Sequence, residues 1–314
     1  MPEWLIERGI GETRYARISD GQIVEARILL DGVIAAGTVL AARLIEVGVP
    51  AIAEANGQQY LLPGGASGAT QGAAIAIEVT RETIPGVEPW KRPLARITGE
   101  SPRQAAPLEG RQLAFPSPDD PLERAGWSDL IEEARSGIVR FAGGELRVSP
   151  TPAMTLIDVD GQLPPLDLAM AGAQAAARTI LRHGIGGSIG IDLPTVAGKA
   201  ERLRIAAQVD AILPQPFERT AVNGFGFLQI VRPRRHPSLF ELAADRSAFE
   251  GRALLRRTAR DRTGATALVA HPAVIGVLEG NAGWLDELSR QVGGEVSLRA
   301  DPSLPISAAY AEAR

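Results

Sequence analysis

Apolar and polar residues alternate in short runs along the first eighty positions of the chain. The runs that begin at Thr13 and Gln22 flank the turn Asp20-Gly21, a combination typical of a β-hairpin. Four more alternating runs, separated by glycine-rich turns, lie at 38–47, 51–55, 59–62 and 74–80. Short strands that follow each other this closely predict a small β-barrel.

The middle of the chain is rich in proline. Eight prolines lie between positions 84 and 121, too many for a packed helix or a central strand, so we interpret residues 99–121 as a linker. A helix is predicted at 122–135, and a hairpin follows, with the strand sequences GIVRF and ELRV joined by Gly143-Gly144.

The second half changes to alternating strands and helices. Apolar strands are predicted at 153–158 and 188–192, each followed by a helix with 3.6-residue periodicity, at 166–182 and 197–212. This β-α-β-α order indicates a parallel sheet. A further strand at 225–232 precedes a tail from Pro237, in which three helices (249–260, 272–278 and 284–291) and two strands (265–270 and 295–299) form a small α/β unit.

The composition excludes several classes of protein. With 314 residues, 45% of them hydrophobic, the chain can bury a core, and a length prior gives about two domains. The absence of cysteine excludes disulfides, thiolate zinc sites and cysteine nucleophiles, and three histidines make a histidine-rich metal site a poor explanation. The N-terminus lacks the features of a signal peptide, and no apolar run reaches about 18 residues. We therefore expect a cytoplasmic protein without a membrane partner.

The net charge of −4 hides an uneven distribution. Residues 1–150 carry 15 basic and 20 acidic side chains, whereas residues 178–262 carry 15 basic and 8 acidic, a local excess of seven positive charges. That segment suits a polyanionic partner. Arginine supplies 31 of the 33 basic residues, which favours bidentate phosphate contacts but is equally explained by a GC-rich genome.

Aspartates mark the ends of the two predicted parallel strands. Asp158 and Asp160 follow one apolar run, and Asp192 follows the other. Because ligands bind beyond the carboxyl ends of parallel strands, Asp158 and Asp192 should lie side by side. Paired carboxylates require a cation between them, and hard oxygen ligands favour Mg²⁺ or Mn²⁺. The same residues also suit a simpler role, as caps of the following helices or as residues that close turns.

Basic and aromatic residues follow the carboxylates along the chain. Lys199 and Arg202 lie on the second predicted helix, and Arg232 and Arg234 end the following strand. All four could hold a phosphodiester or form a solvated charged edge. Phe225 and Phe227 alternate with glycines on that strand, a pattern compatible with base stacking or with a core position.

The same segments carry a resemblance to the ribonuclease E/G family. They read AMTLIDVDG at 153–161, RHGIGG at 182–187, IGIDL at 189–193 and NGFGFLQIVRPRRHPSL at 223–239. The family has a strand with Asp-x-Asn, a helix closing on Leu-Gly-Gly, a strand with Ile-Asp-Phe, and a strand with Phe-Gly-Leu-Leu-Glu-x-x-Arg-x-Arg. The order and spacing match over about 85 residues.

The resemblance implies an α+β fold of several modules. Residues 1–31, together with 122–150, would form RNase H-like strands, into which an OB-type RNA-binding barrel at 32–98 is inserted. The linker at 99–121 would be followed by a DNase I-like α/β catalytic subdomain at 151–236 and a small C-terminal domain at 237–314.

The resemblance also implies a function, namely a Mg²⁺-dependent endoribonuclease that acts on single-stranded RNA in RNA processing or decay. Asp158 and Asp192 would hold the metal, with Asp160 beside them in the catalytic site. Arg232, Arg234, Lys199, Arg202 and Phe225 would contact RNA.

The sequence departs from the family pattern at several positions. Asp160 replaces the family's asparagine, Thr195 replaces its second acidic residue after Ile-Asp-Phe, and Gln229 replaces the glutamate of the last strand. The cysteine pair that joins subunits of larger members through zinc is absent, so a homo-oligomer would be held without zinc. Residues 99–150 show no counterpart of the arginine and threonine that sense an RNA 5′ monophosphate.

Two further hypotheses stand beside the nuclease. The scaffold could serve a non-catalytic RNA-binding or assembly protein, which the replacement at Asp160 and the acidic first half would suit. The same aspartates could also serve a different metal-dependent phosphotransfer enzyme. Magnesium dependence of RNA cleavage separates the first two, and a panel of nucleotide substrates tests the third.

Overall fold

The structure is a computed structural model that describes residues 3–85 and 91–314. The first two residues and residues 86–90 lie outside the described residues. The predictions that fall on them include a part of the expected barrel segment, with Pro89. The strands are, in chain order, β1 (Trp4–Arg8), β2 (Glu12–Ser19), β3 (Gln22–Leu30), β4 (Val39–Glu46), β5 (Ala51–Ala55), β6 (Gln58–Leu62), β7 (Ala74–Arg81), β8 (Leu94–Thr98), β9 (Gly110–Leu113), β10 (Ile138–Phe141), β11 (Gly144–Pro150), β12 (Thr155–Gly161), β13 (Gly187–Asp192), β14 (Glu218–Arg219), β15 (Phe227–Arg232), β16 (Thr266–Ala270), β17 (Val296–Ala300) and β18 (Tyr310–Ala313).

The helices complete a mixed α+β chain. They are α1 (Pro121–Arg124), α2 (Trp127–Ser136), α3 (Pro165–Arg182), α4 (Lys199–Ile212), α5 (Leu239–Ala244), α6 (Arg246–Asp261), α7 (Pro272–Glu279) and α8 (Ala282–Val292), followed by a 3₁₀ turn at Ile306–Ala308. Among residues 3–85 and 91–314, no helix combines the length and the apolar composition needed to cross a bilayer.

The chain divides into two compact units, each built from separate segments. The terminal unit comprises the residues up to Asp31, Gly110–Ser136 and Leu242–Arg314, and the central unit comprises Gly32–Glu109 and Gly137–Glu241.

The terminal unit contains two sheets. The first has the order β3-β2-β1-β9, and the predicted hairpin β2–β3 is confirmed, with Asp20 and Gly21 both at positive φ in its two-residue turn. The second has the order β17-β16-β18 and shares an apolar core with α6, α7 and α8.

A network of buried charges stabilises the terminal unit. Arg14 bonds to Glu7 at 2.6 Å and to Glu12 at 2.7 Å, and all three side chains are buried. Two arginines of α6 complete the network, because Arg252 pairs with Glu12 at 3.1 Å and Arg256 with Glu7 at 3.0 Å. Buried carboxylates and guanidiniums persist only when they are paired and hydrogen-bonded in this way.

Two features of the middle region differ from the sequence-based expectation. The segment 99–121, predicted as a linker, contains β9, a short edge strand parallel to β1. Gly110 makes this pairing possible, because a Cβ at that position would collide with the backbone of Trp4. The hairpin β10–β11, expected to accompany the N-terminal strands, instead extends the sheet of the central unit, because β11 pairs with β12 along seven registered positions.

The central unit contains the predicted barrel. Its strands close in the order β4-β5-β6-β8-β7, so the expectation of a small β-barrel is confirmed. The fifth strand, β8, lies within the proline-rich region. Small and branched apolar side chains, with Tyr60, fill the interior.

The second part of the central unit is a six-stranded sheet with the order β10-β11-β12-β13-β15-β14. The predicted β-α-β-α unit is confirmed, because β12 and β13 are parallel and α3 connects them. The alanine-rich side of α3 packs with α4 and with the apolar side chains of the sheet in one core. The other face of the sheet presents polar and charged side chains, and it carries the candidate site.

Candidate functional site

Asp158 and Asp192 lie next to each other on the exposed face of the six-stranded sheet. They are register partners in the parallel pair β12–β13, and neighbouring strands lie about 4.8 Å apart. The preceding residues, Ile157 and Ile191, are fully buried on the opposite face, so strand alternation directs both carboxylates away from the core. The expected side-by-side placement is confirmed.

The helix-capping alternative for these aspartates is wrong. The N-cap position of α3 is Pro164 and that of α4 is Gly198, and neither helix has a side-chain cap. Asp158 and Asp192 therefore precede these helices without serving as their caps. Both carboxylates are exposed, and neither caps a helix.

Asp160 shares the exposed face with this pair. It lies two residues after Asp158, its Oδ1 accepts a hydrogen bond of 2.8 Å from the Gly161 amide, and its cross-strand partner is Glu145. An open cleft of about 520 Å³ lies beside it. The cleft is lined by Arg140, Gly143, Gly144, Glu145, Asp160, Gly161 and Gln162.

The donor set suits a hard, hydrated cation. Within the described part of the chain, no three His, Cys, Asp or Glu side chains converge into a closed metal site. The paired carboxylates of Asp158 and Asp192 offer two sets of oxygen ligands on an open surface. Mg²⁺ is usually held by one or two carboxylates while it keeps several waters or substrate phosphate oxygens, so the pair fits this ion.

Phe225 lies in a hydrogen-bonded turn two residues before Phe227, the register partner of Asp192. Its ring is 83% exposed, so the alternative that it belongs to the core is wrong. The Asn223 Oδ1 accepts hydrogen bonds from the backbone amides of Phe225 at 2.9 Å and Phe227 at 3.0 Å, which fixes the turn. Gly226 adopts a φ of 94°, and a Cβ there would collide with the carbonyl oxygen of Leu193, one residue after Asp192.

Phe227 occupies a different environment from Phe225. It is the register partner of Asp192 on β15, and its half-buried ring covers Gly190, where a Cβ would collide with it. Of the two phenylalanines, Phe227 is therefore packed against the sheet and Phe225 is exposed to solvent.

The predicted RNA-binding arginines make contacts within the central unit. Arg232 donates a hydrogen bond of 3.0 Å to the Ile185 carbonyl, and Arg234 pairs with Glu241. Burial, with the positive charge of Arg81, lowers the pKa of Arg234 to about 10. Both arginines thus contribute to local structure, and their contact with RNA stays a prediction.

The two basic residues of α4 differ in their surroundings. Lys199 is exposed at the first position of the helix. Arg202 donates hydrogen bonds to the carbonyls of Val196 at 3.0 Å and Ala197 at 2.6 Å, and so it holds the loop before the helix. Of the two side chains, that of Lys199 is the more exposed.

Sequence reasoning missed the residues of the hairpin β10–β11 that flank the site. Arg147 on β11 is the direct cross-strand neighbour of Asp158, and Arg140 on β10 faces Glu145. The alternating exposure of Glu145, Arg147 and Ser149 was readable from the sequence, but the position of this hairpin beside β12 was not.

Comparison with known proteins gives no family for the chain, because no protein-family model and no curated protein matches it. The interpretation of the site therefore rests on the motifs and on the geometry described above.

Proposed function

We propose that the protein is a Mg²⁺-dependent endoribonuclease that cleaves single-stranded RNA and is similar to the ribonuclease E/G family. The observation that carries this proposal is the register pairing of Asp158 and Asp192 on the exposed face of the sheet. The presented ring of Phe225 and the local excess of basic residues over 178–262 add to it.

In this proposal Asp158 and Asp192 hold the cation through their carboxylate oxygens. Magnesium, or manganese in its place, would supply an activated water and would stabilise the charge that develops on the phosphodiester. Asp160, on the same face, would accept a hydrogen bond from a water molecule next to the pair. The exposed position of all three carboxylates gives a flexible polymer direct access.

The other predicted residues bind the strand. Phe225 stacks on a base next to the cleaved phosphodiester, since its ring is held rigidly in the open. Lys199 contacts the RNA backbone directly, and Arg202 holds the loop that precedes Lys199. Arg232 and Arg234 would contact phosphates farther along the RNA strand, because Arg232 pairs with Gly187, at the opposite end of β13 from Asp192. The barrel acts as an OB-type RNA-binding module, the N-terminal strands as an RNase H-like layer, and the six-stranded sheet as a DNase I-like subdomain. The protein would be cytoplasmic, and any homo-oligomer would be held without zinc.

Removal of the metal tests this proposal. Purified protein is incubated with a labelled, unstructured oligoribonucleotide in Mg²⁺, in Mg²⁺ with excess chelator, and in Mn²⁺. We expect internal cleavage in Mg²⁺, none with chelator, and recovery when Mg²⁺ is restored in excess. The matching oligodeoxyribonucleotide and a folded RNA hairpin serve as controls for single-stranded RNA.

The result also separates the alternative functions. Binding of the RNA without cleavage in either metal would contradict the nuclease proposal and support a non-catalytic RNA-binding protein. The replacements at Asp160, Thr195 and Gln229 favour this alternative. Turnover of a nucleotide panel without RNA cleavage would indicate a different phosphotransfer enzyme.

The substitution Phe225→Ala is expected to weaken binding of single-stranded RNA without altering the fold. Loss of one base–aromatic stack costs about 1–3 kcal/mol, or roughly 5- to 150-fold in affinity. The measurement is RNA affinity in the presence of chelator, combined with thermal unfolding. The control is Tyr310→Ala, an exposed aromatic of the terminal unit, which should bind RNA as the wild type does. Unchanged affinity of Phe225→Ala would exclude the stacking role.

A further inference from the structure

Arg147 occupies a position on the exposed face that the proposed function has not used. It lies opposite Asp158 in the antiparallel pair β11–β12, and Asp158 is in turn the partner of Asp192. Side chains of directly opposed residues share one face, with Cβ atoms about 5 Å apart. Arg147, Asp158 and Asp192 therefore form one row across three adjacent strands.

The present partner of Arg147 holds it weakly. Its Nη2 donates a hydrogen bond of 2.8 Å to Glu145, two residues earlier on the same strand. The Arg147 side chain is 58% exposed and that of Glu145 is 29% exposed. Ion pairs at such exposed positions contribute about 0–1 kcal/mol, so the guanidinium can exchange Glu145 for a stronger anionic partner.

The exposed carboxylates on this face would repel a phosphate. Asp158, Asp160 and Asp192 are all exposed on this face, and a phosphate that approaches them meets their negative charges. A bound divalent ion offsets part of this repulsion. A guanidinium in the same row offsets more of it, and its planar donor fork matches two non-bridging oxygens of a phosphate.

We infer that Arg147 binds the RNA phosphate held at the Asp158–Asp192 pair and stabilises the negative charge on its non-bridging oxygens. Glu145 acts as an internal competitor that occupies the guanidinium until RNA arrives. The inference rests on the proposed function for the identity of the polyanion, and it assigns Arg147 as a direct substrate contact.

The test compares Arg147→Ala, Arg147→Lys, Glu145→Gln and the double variant Glu145→Gln/Arg147→Ala. The matched control is Arg290→Ala, which removes another exposed arginine, one that pairs with Glu287 at 2.6 Å on α8. Thermal unfolding of each variant checks the fold, and it should stay unchanged because both arginines are exposed.

The first readout is binding of an unstructured oligoribonucleotide in chelator over a range of KCl concentrations. Loss of one phosphate contact should reduce the slope of log K against log [KCl] by about 0.7 for a single strand. We expect this reduction, with roughly tenfold weaker binding, for Arg147→Ala and not for Arg290→Ala. Arg147→Lys should retain the slope. Glu145→Gln should tighten binding about twofold to threefold, and the gain should disappear in the double variant.

The second readout is cleavage in Mg²⁺. Arg147→Ala should reduce kcat by about 100-fold, because charge stabilisation in the transition state is lost, and Arg147→Lys should recover part of it. An unchanged salt slope together with an unchanged kcat for Arg147→Ala would overturn the inference, as would a Glu145→Gln gain that persists in the double variant. Wild-type protein that binds RNA but never cleaves it would overturn the proposed function alone, since the binding readout still decides the role of Arg147.

Discussion

The substitution Asp192→Asn is expected to reduce Mg²⁺-dependent RNA cleavage by about a thousandfold, which corresponds to about 4 kcal/mol of activation free energy. The change keeps the shape of the side chain but removes the negative charge that would hold the cation next to Asp158. A neutral amide oxygen binds a cation more weakly than a carboxylate does. Both the affinity for Mg²⁺ and the stabilisation of the charge that develops on the phosphodiester should therefore fall. Because Asp192 is exposed, the fold should be unaffected.

The measurement is the single-turnover cleavage rate at several Mg²⁺ concentrations. Asp286→Asn makes the same chemical change at an exposed position of α8 and should retain the wild-type rate. RNA binding in chelator should be maintained or strengthened in Asp192→Asn, because a negative charge has been removed from the face. Cleavage by Asp192→Asn at the wild-type rate would remove the basis of the nuclease proposal.

The second large effect is expected from Arg256→Ala, which should destabilise the terminal unit by about 3–5 kcal/mol. Arg256 is 4% exposed and bonds to Glu7 at 3.0 Å, Asp120 at 2.7 Å and Glu123 at 3.1 Å. The pKa of Arg256 is raised: burial alone would lower it, but the three carboxylates outweigh that effect. Its removal takes away the cation that bonds to Asp120 and leaves Glu7 with Arg14 as its remaining counter-charge.

Urea unfolding followed by tryptophan fluorescence measures this loss, since Trp4, Trp127 and Trp284 all lie in the terminal unit. Arg256→Met keeps much of the apolar stem and should be nearly as unstable as Arg256→Ala if charge dominates. Arg290→Ala should change the free energy of unfolding by less than about 1 kcal/mol. Full rescue by methionine would show that packing, rather than the ion network, stabilises this region.

The carboxylate pair was predictable from the sequence because its position depends on local patterns. Two apolar strands joined by one helix are parallel neighbours in most folds. Because both strands here end in aspartate, Asp158 and Asp192 could be placed side by side without coordinates. The barrel was predictable for the same reason, since its strands follow each other closely and alternate clearly.

The parts that the sequence did not reveal depend on contacts between distant segments. Arg147 became a candidate only once β11 was seen beside β12, and hairpin patterns do not specify their neighbours in a larger sheet. Glu7, Glu12 and Arg14 alternate along β1 and β2 as solvent-exposed residues would, yet they are buried. Their partners Arg252 and Arg256 lie 240 and 249 residues later, so no local pattern could show this burial.

The ion network also affects the order in which parts of the protein can fold during synthesis. Ribosomes add about 5–20 residues per second, so the 249 residues that separate Glu7 from Arg256 take about 12–50 s to synthesise. During that interval the first strands carry acidic side chains whose basic partners do not yet exist, while the segments of the central unit can already emerge and fold. A chain truncated before α6 and released from the ribosome should therefore protect the six-stranded sheet from proteolysis but leave the first hairpin open to it.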